Sequence, residues 1–491
     1  MFRPSFEGSV GRALRPTPLE MARSARLSLA LAIMLALLGT VGFGLASGSI
    51  SGATLDGVSV QASRSSAIVT WRVNDAPAKI VVEYGLDTNY GVWSETTTAV
   101  EPRAGQTVLT GLEPGTTYQY HLMAVSPVSH LDATGSFTTA PVSPFPQAAI
   151  TPLATATSSS TLFKSAPSSA APTNLTIDGS PVFPRLVWRQ CPSSYPDSIA
   201  AGINVFLGTS CTSPASQLSF LSGRAYSAVD ITNHGQLDGP SLIGWHLPDE
   251  GDESVGSAAG QPNVHEQGKV TFLTLTDHFA PYMAPPHAGR GVYPGWFSRA
   301  DVIGFDTYPI EGRCRYDLIP WVYSLQKTLV NMAGAKPTFQ WIEAGPMEKC
   351  FKVDPTPASV SAETWLAIAA GARGIGYFPD VWEQPIRDTI TGIDRTIVAL
   401  EPALLDVSGT GIAGPSSPLR VGVRRHNGAV YVIAVNTSTK PITGRLAVPA
   451  LGDRTLKVFA ENRTVTSQLS QIVDNFDGLG VHIYIAPPAG W

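Results

Sequence analysis

Three patterns of apolar and polar positions follow one another along the chain. Between residues 52 and 139 the stretches AIVTWRV, KIVVEYG, QTVLTGL, TTYQYHLMAV and ATGSFTT alternate apolar with polar residues, as half-buried strands do. Their spacing predicts a small β-sandwich. From residue 175 the alternation gives way to continuous apolar runs at 181–189, 202–207, 226–231, 242–247, 270–276, 301–307, 338–342 and 374–378. Such runs suit parallel strands covered on both faces. Stretches with helical periodicity lie between the later ones, at 318–333 and 361–371, and another, at 393–405, follows the last. Beyond residue 412 the alternation returns: LRVGVRR and AVYVIAVN flank Asn427-Gly428, a strong hairpin signal, and LKVFA and VHIYIA continue it.

Eight strand–helix units over 175–411 predict a (β/α)₈ barrel. A doubly wound sheet is the alternative, but it needs a Gly-rich phosphate turn after an early strand, which is absent. The expected fold is therefore multidomain: an N-terminal β-sandwich over 52–139, a central barrel over 175–411 and a small C-terminal β-sandwich over 412–491. Residues 140–173 are Pro, Ser, Thr and Ala with a single charge. They have too little apolar surface to fold and predict a semi-extended linker.

Composition adds the compartment. At residues 27–46 a nearly unbroken apolar run follows Arg3, Arg12, Arg15, Arg23 and Arg26, with no basic residue close behind it. Residues 1–48 are thus expected to be an export signal, either cleaved or kept as a membrane anchor, which puts the protein outside the cell or on its surface. Charged residues make up only 14% of the chain and net charge is −5, with no basic patch, so a nucleic-acid partner is not expected. Cys191, Cys211, Cys314 and Cys350 contain no CxxC pair; an even number in an exported chain predicts two disulfides, with three possible connectivities.

Candidate chemistry belongs at the C-terminal ends of barrel strands. The fourth run ends in GWHLPDE and the seventh in FQWIEAG, which brings Glu250 and Glu343 to the rim. Two carboxyl groups across a cleft are what glycosidic cleavage requires: one protonates the leaving oxygen, the other attacks the anomeric carbon or activates water. The alternative for each is a rim salt bridge, for instance to Arg189 or Arg373. His246, Asp277, His278 and Asp306 also fall near strand ends. Asp306 is a candidate binder or alternative nucleophile, and His246 reads as a hydrogen-bonded core histidine. Trp188, Trp245 and Trp341 read as core unless they stack on sugar faces, and Glu253 as solvated loop. No ligand cluster suggests a metal or organic cofactor.

Two resemblances sharpen these expectations. LTGLEPGTTYQY, with Trp71 in VTW and the stretch VEYG, resembles the fibronectin type III family, which implies that Trp71 and Tyr118 are core residues, Tyr118 as a tyrosine corner. The same kind of domain precedes some metallophosphatases, but no GDxG or GNHE motif comes after it here. The barrel resembles the large retaining glycoside-hydrolase clan with an acid/base Glu after the fourth strand and a nucleophile Glu after the seventh. That resemblance covers roughly 175–410. It implies Glu250 as acid/base and Glu343 as nucleophile, Tyr308 in DVIGFDTYP as the residue orienting the nucleophile, and Trp382 as a substrate-stacking residue; Asp306 and His246 stay candidate binders by their strand positions alone. The sequence departs from the clan at Asp249, where Asn usually precedes the acid/base. An Asp there still accepts from a sugar hydroxyl, and its charge raises the pKa of a neighbouring carboxyl.

In the barrel reading Cys191 follows the first strand and Cys211 the second, while Cys314 follows the sixth and Cys350 the seventh. Neighbouring strands carry neighbouring loops, so the expected pairs are Cys191–Cys211 and Cys314–Cys350. The leading expectation is an exported retaining glycosidase acting on a poly- or oligosaccharide without a cofactor. The alternative is a glycan-binding or scaffold protein on a barrel without turnover. A chitinase-like site would need alternating acids along the fourth strand, where Asp249 and Glu250 are adjacent.

Overall fold

The computed structural model describes residues 55–73, 79–95, 97–98, 104–126, 132–141, 173–347, 350, 353–379, 381–406, 408–414, 417–449 and 451–488. The expected export signal and most of the expected linker lie outside the described residues. Among the described residues no helix is long and apolar enough to cross a membrane.

All eight continuous apolar runs become strands of one closed parallel barrel: Arg185–Trp188, Val205–Leu207, Tyr226–Asp230, Leu242–His246, Val270–Leu275, Val302–Asp306, Thr338–Glu343 and Ile375–Phe378. The first strand closes on the eighth, with Arg185, Leu186 and Val187 beside Ile375, Gly376 and Tyr377. Helices cover the outside; Pro320–Ala333, Pro357–Ala369 and Gln384–Leu404 are the longest. Within the barrel, Leu186, Leu207, Ala228, Phe272, Phe339 and Trp341 form a packed apolar core. Two glycines make room for the largest rings. A Cβ on Gly304 would sit 2.1 Å from the Phe339 ring, and one on Gly376 would sit 2.2 Å from the Trp341 ring. Each glycine is the register partner of the aromatic residue it accommodates, so the ring lies flat across the neighbouring strand.

The N-terminal domain is a pair of antiparallel sheets. Leu55–Ala62, Ser66–Val73 and Ala104–Thr110 form one; Val92–Trp93, Lys79–Gly85, Thr117–Ser126 and Asp132–Thr138 form the other, with Thr97–Thr98 alongside. Trp71 and Tyr118 are buried between them, and the Tyr118 hydroxyl accepts the Glu113 amide at 2.9 Å. The C-terminal domain pairs a six-stranded with a three-stranded sheet. Its Leu419–His426 and Ala429–Asn436 hairpin turns at Asn427 (φ 48°) and Gly428 (φ 82°), the left-handed pair that such a turn demands.

The two β domains are integral to the barrel's packing. Glu113 leaves the N-terminal domain to meet buried Arg185 of the first barrel strand at 3.1 Å, where Glu401 and Asp394 also approach at 3.7 and 3.9 Å. Burial raises the Asp394 carboxyl to about 7. Burial acts in the same direction on Glu113, but Arg185 outweighs it and holds that carboxyl below its ordinary value. Asn427 of the C-terminal hairpin donates to the carbonyl of Trp93 in the N-terminal domain at 2.7 Å.

Candidate active site

At the C-terminal mouth of the barrel lies a cavity of about 360 Å³. Its walls are Trp188, Thr274, Tyr308, Trp341, Met347 and Phe378, and its polar groups include Asp249, Glu250 and Asp306. The aromatic walls come from strand ends. Trp188 meets Trp341 edge to face at 6.0 Å, Tyr308 stacks on Phe378 at 5.8 Å, and the Trp341 indole donates to the Thr274 hydroxyl at 3.1 Å.

Glu250 reaches the cavity from an unusual backbone position. Its φ is 46°, in the left-handed region, directly before the short helix Gly251–Ser254. The residues of that helix hold the turn in place. Gly251 must be glycine, because a Cβ there would meet the Trp296 ring at 2.6 Å. Asp252 is fully buried and accepts the Thr276 amide (3.0 Å), the Thr276 hydroxyl (2.7 Å) and the Tyr293 hydroxyl (2.9 Å). Ser254 donates back to the Asp249 carbonyl at 2.8 Å. A non-glycine residue kept in this region costs of order 1–3 kcal/mol and persists only where its surroundings over-determine it.

Asp306, the last residue of the sixth strand, faces Glu250 and hydrogen-bonds with it. Burial, and after it the charge of Glu250, pushes the Asp306 carboxyl well above the ordinary range. Asp249 is exposed at the mouth; desolvation by its surroundings, and then the charge of Glu250, raises its carboxyl to about 6. Neither arginine of the expected rim salt bridges engages these carboxylates. Arg189 lies over Trp188 and pairs with Asp230 at 3.8 Å, and Arg373 is committed to Asn174 and the carbonyls of Leu405 and Asp406.

Glu343 ends the seventh strand as expected, yet it does not line the cavity. It is fully buried, and its two carboxylate oxygens accept the amides of Ile310 (2.8 Å) and Glu311 (2.7 Å) from the loop after the sixth strand. Its side chain also meets that of Glu363 on the helix Pro357–Ala369. Burial raises Glu343 to about 7, and burial together with the charge of Glu343 raises Glu363 well above its ordinary value. The folded loop, invisible in a strand pattern, takes this carboxyl out of reach of a ligand in the cavity. Glu311 of the same loop accepts the Met347 amide at 3.0 Å, and the Cys314–Cys350 disulfide ties that loop to the one after Glu343. Cys191–Cys211 joins the first two strand-end loops.

Trp382 is buried, donates to the Pro379 carbonyl at 2.8 Å and packs edge-on to Tyr377, so it offers no face to the cavity. His246 is a core residue behind Trp188. Its Nδ1 donates to the Leu247 carbonyl at 3.0 Å, and burial lowers its pKa. Trp245 is likewise core. Asp277 pairs with Arg313 at 2.6 Å beside the site, and Glu253 is engaged by His278 at 3.5 Å and by His287 rather than free in solvent. The cavity residues that the sequence did not single out are Thr274, Gly312, Pro346, Met347, Phe378 and Pro379. Phe378 was foreshadowed as the end of the eighth apolar run; the others lacked any distinguishing pattern. Among the described residues no group of three or more His, Cys, Asp or Glu side chains is arranged to hold a metal ion.

Residues 57–139 match the family model of the purple acid phosphatase N-terminal domain, which therefore covers the N-terminal β domain alone. No curated protein matches the chain in sequence. Similar solved structures include a GH30 endoxylanase from Clostridium papyrosolvens C71, at 9% identity over 62% of this chain and 96% of that one (TM-score 0.39). A noncanonic maltogenic α-amylase, AmyB, from Thermotoga neapolitana is similar at 8% identity over 62% and 98% of the two chains (TM-score 0.39). Likenesses this distant tie no activity to the chain.

Proposed function

We propose that this protein is an exported glycoside hydrolase whose working carboxyl groups are Glu250 and Asp306. The observation that carries this reading is the meeting of these two carboxyl groups inside an aromatic-walled cavity at the mouth of a closed (β/α)₈ barrel. One carboxyl form is a general acid for the glycosidic oxygen; the other, ionised, is the nucleophile or base. Carboxyl groups in hydrogen-bond contact are closer than the roughly 6.5–9.5 Å an inverting site needs for its water, which favours retention once substrate separates them. Glu250 keeps the acid/base role. Asp306, whose proton passes to Glu250 as substrate binds, then takes the nucleophile's role in place of Glu343, whose carboxyl oxygens accept two amides and which acts as a positioning group for the 308–314 loop. Asp249 serves the sugar hydroxyls, Tyr308 one wall. The N-terminal domain, proposed as fibronectin type III-like, completes the barrel's underside through Glu113. Two disulfides fit an oxidising compartment.

The test is turnover of aryl glycosides and polysaccharides by the secreted chain beside its Glu250→Gln, Asp306→Ala and Glu343→Gln variants. Loss of turnover in Asp306→Ala, restored by azide with inverted product, supports the assignment. Rescue in a Glu343→Ala variant instead would return the nucleophile's role to Glu343. Polysaccharide binding without turnover in the parent would favour a binding module.

A further inference from the structure

We propose that the saccharide taken by this cavity is cationic: an amino sugar bearing a free ammonium group. This rests on reading the mouth as a saccharide site and adds its substrate class. Three carboxyl groups, Asp249, Glu250 and Asp306, line the cavity, and among the described residues no Lys, Arg or His does. Two arginines beside the mouth pair with carboxylates outside the lining, though the charge of Arg189 also reaches Asp249. Arg189 pairs with Asp230 at 3.8 Å, and Arg313 pairs with Asp277 at 2.6 Å while lying over Trp321. Asp230, Asp277 and Trp321 are not among the lining residues.

The rest of the wall is aromatic: Trp188, Trp341, Tyr308 and Phe378. Ring faces attract cations through their quadrupole, and carboxylates add charge-assisted hydrogen bonds. Together they are the chemistry of an ammonium site. Arg189 acts on Asp249 from outside the cavity, and among the described lining residues no cation balances the three carboxyl groups. A neutral sugar's hydroxyls hydrogen-bond those carboxylates but leave their charge unbalanced, and a uronate would be repelled. An ammonium substituent on the ring compensates them as it binds.

The experiment compares binding of three tetrasaccharides of matched length to the full chain: glucosamine, N-acetylglucosamine and glucose oligomers. Calorimetry is run at a mildly acid pH where the free amines are charged, at low and at high salt, with hydrolysis followed in parallel. The expected result is at least about tenfold tighter binding of the glucosamine oligomer, a preference that shrinks with salt and is lost in Asp249→Asn and Asp306→Asn. Equal or tighter binding of the glucose or N-acetylglucosamine oligomer overturns the proposal, and if that oligomer is hydrolysed the hydrolase reading survives. Preference for the glucosamine oligomer that persists in both variants also overturns it, because the cation is then held elsewhere. The expected preference without hydrolysis of any oligomer keeps the cationic ligand and removes the hydrolase. No binding and no hydrolysis of any of the three overturns both.

Discussion

Two carboxyl pairs sit a strand apart in this barrel and live under opposite rules. Glu250 and Asp306 meet in a cavity that opens to solvent, with no backbone donor on either carboxyl among the described contacts. Glu343 and Glu363 meet in the fully buried layer between barrel and helix, and Glu343 is saturated by two amides. In both places crowding in a desolvated space raises carboxyl groups, Asp306 in the first and Glu343 and Glu363 in the second. Only the first has room for a ligand. A raised carboxyl pKa therefore identifies desolvation and crowding, and the cavity decides whether that proton is available for chemistry.

Isosteric amides break the comparison most sharply. Asp306→Asn or Glu250→Gln is expected to lower kcat by about 10³-fold or more while moving stability by less than about 1 kcal/mol, as steady-state kinetics and urea melts will show. Glu343→Gln inverts the pattern. Its new amide group faces a backbone N–H it cannot accept, so we expect a loss of about 2–3 kcal/mol in urea melts. Its kcat should fall less than tenfold if the 308–314 loop keeps its place; a loss as large as that of Asp306→Asn would assign catalysis to Glu343.

The pH dependence of stability gives the next effect. Glu343 has its folded pKa raised from 4.5 to about 7, so its linkage favours the folded state fully below the unfolded value. That contribution is lost as pH rises through about 7, and it is on the order of 3 kcal/mol. Melts of the parent should weaken across this window, and those of Glu343→Gln should weaken less; an identical slope in both proteins would sink the idea. The smallest effect concerns Asp249. Its charge helps to raise the Asp306 carboxyl, so Asp249→Asn should move the alkaline limb of kcat/KM to lower pH, by up to about one unit. A limb that stays in place would remove Asp249 from the electrostatics of the pair.

Much of this was legible in the order of residues. Eight apolar runs became eight barrel strands, because parallel strands buried on both faces leave no polar positions in the pattern. The cysteine pairs followed from which strand-end loops are neighbours. Glu250 stood out as a carboxyl just beyond the fourth strand, and Asp306 as one at the end of the sixth. Glu343 stood out for the same reason, and there strand-end reasoning reached its limit: a position along a strand says nothing about what folds over it. In sequence Trp382 was the expected stacking surface and Trp341 read as core, yet Trp382 packs on Tyr377 and Trp341 walls the cavity.

Local pattern and spacing, then, determined the barrel, its flanking β domains and the set of acids near its mouth, because periodicity and strand ends are written into consecutive residues. Which of those acids share a cavity was decided by contacts between loops far apart in the chain. The amides of Ile310 and Glu311 close over Glu343, and the buried Asp252 anchors the left-handed turn that delivers Glu250. Burial and hydrogen bonding act through space, and they distinguish carboxyl groups that strand-end position leaves alike.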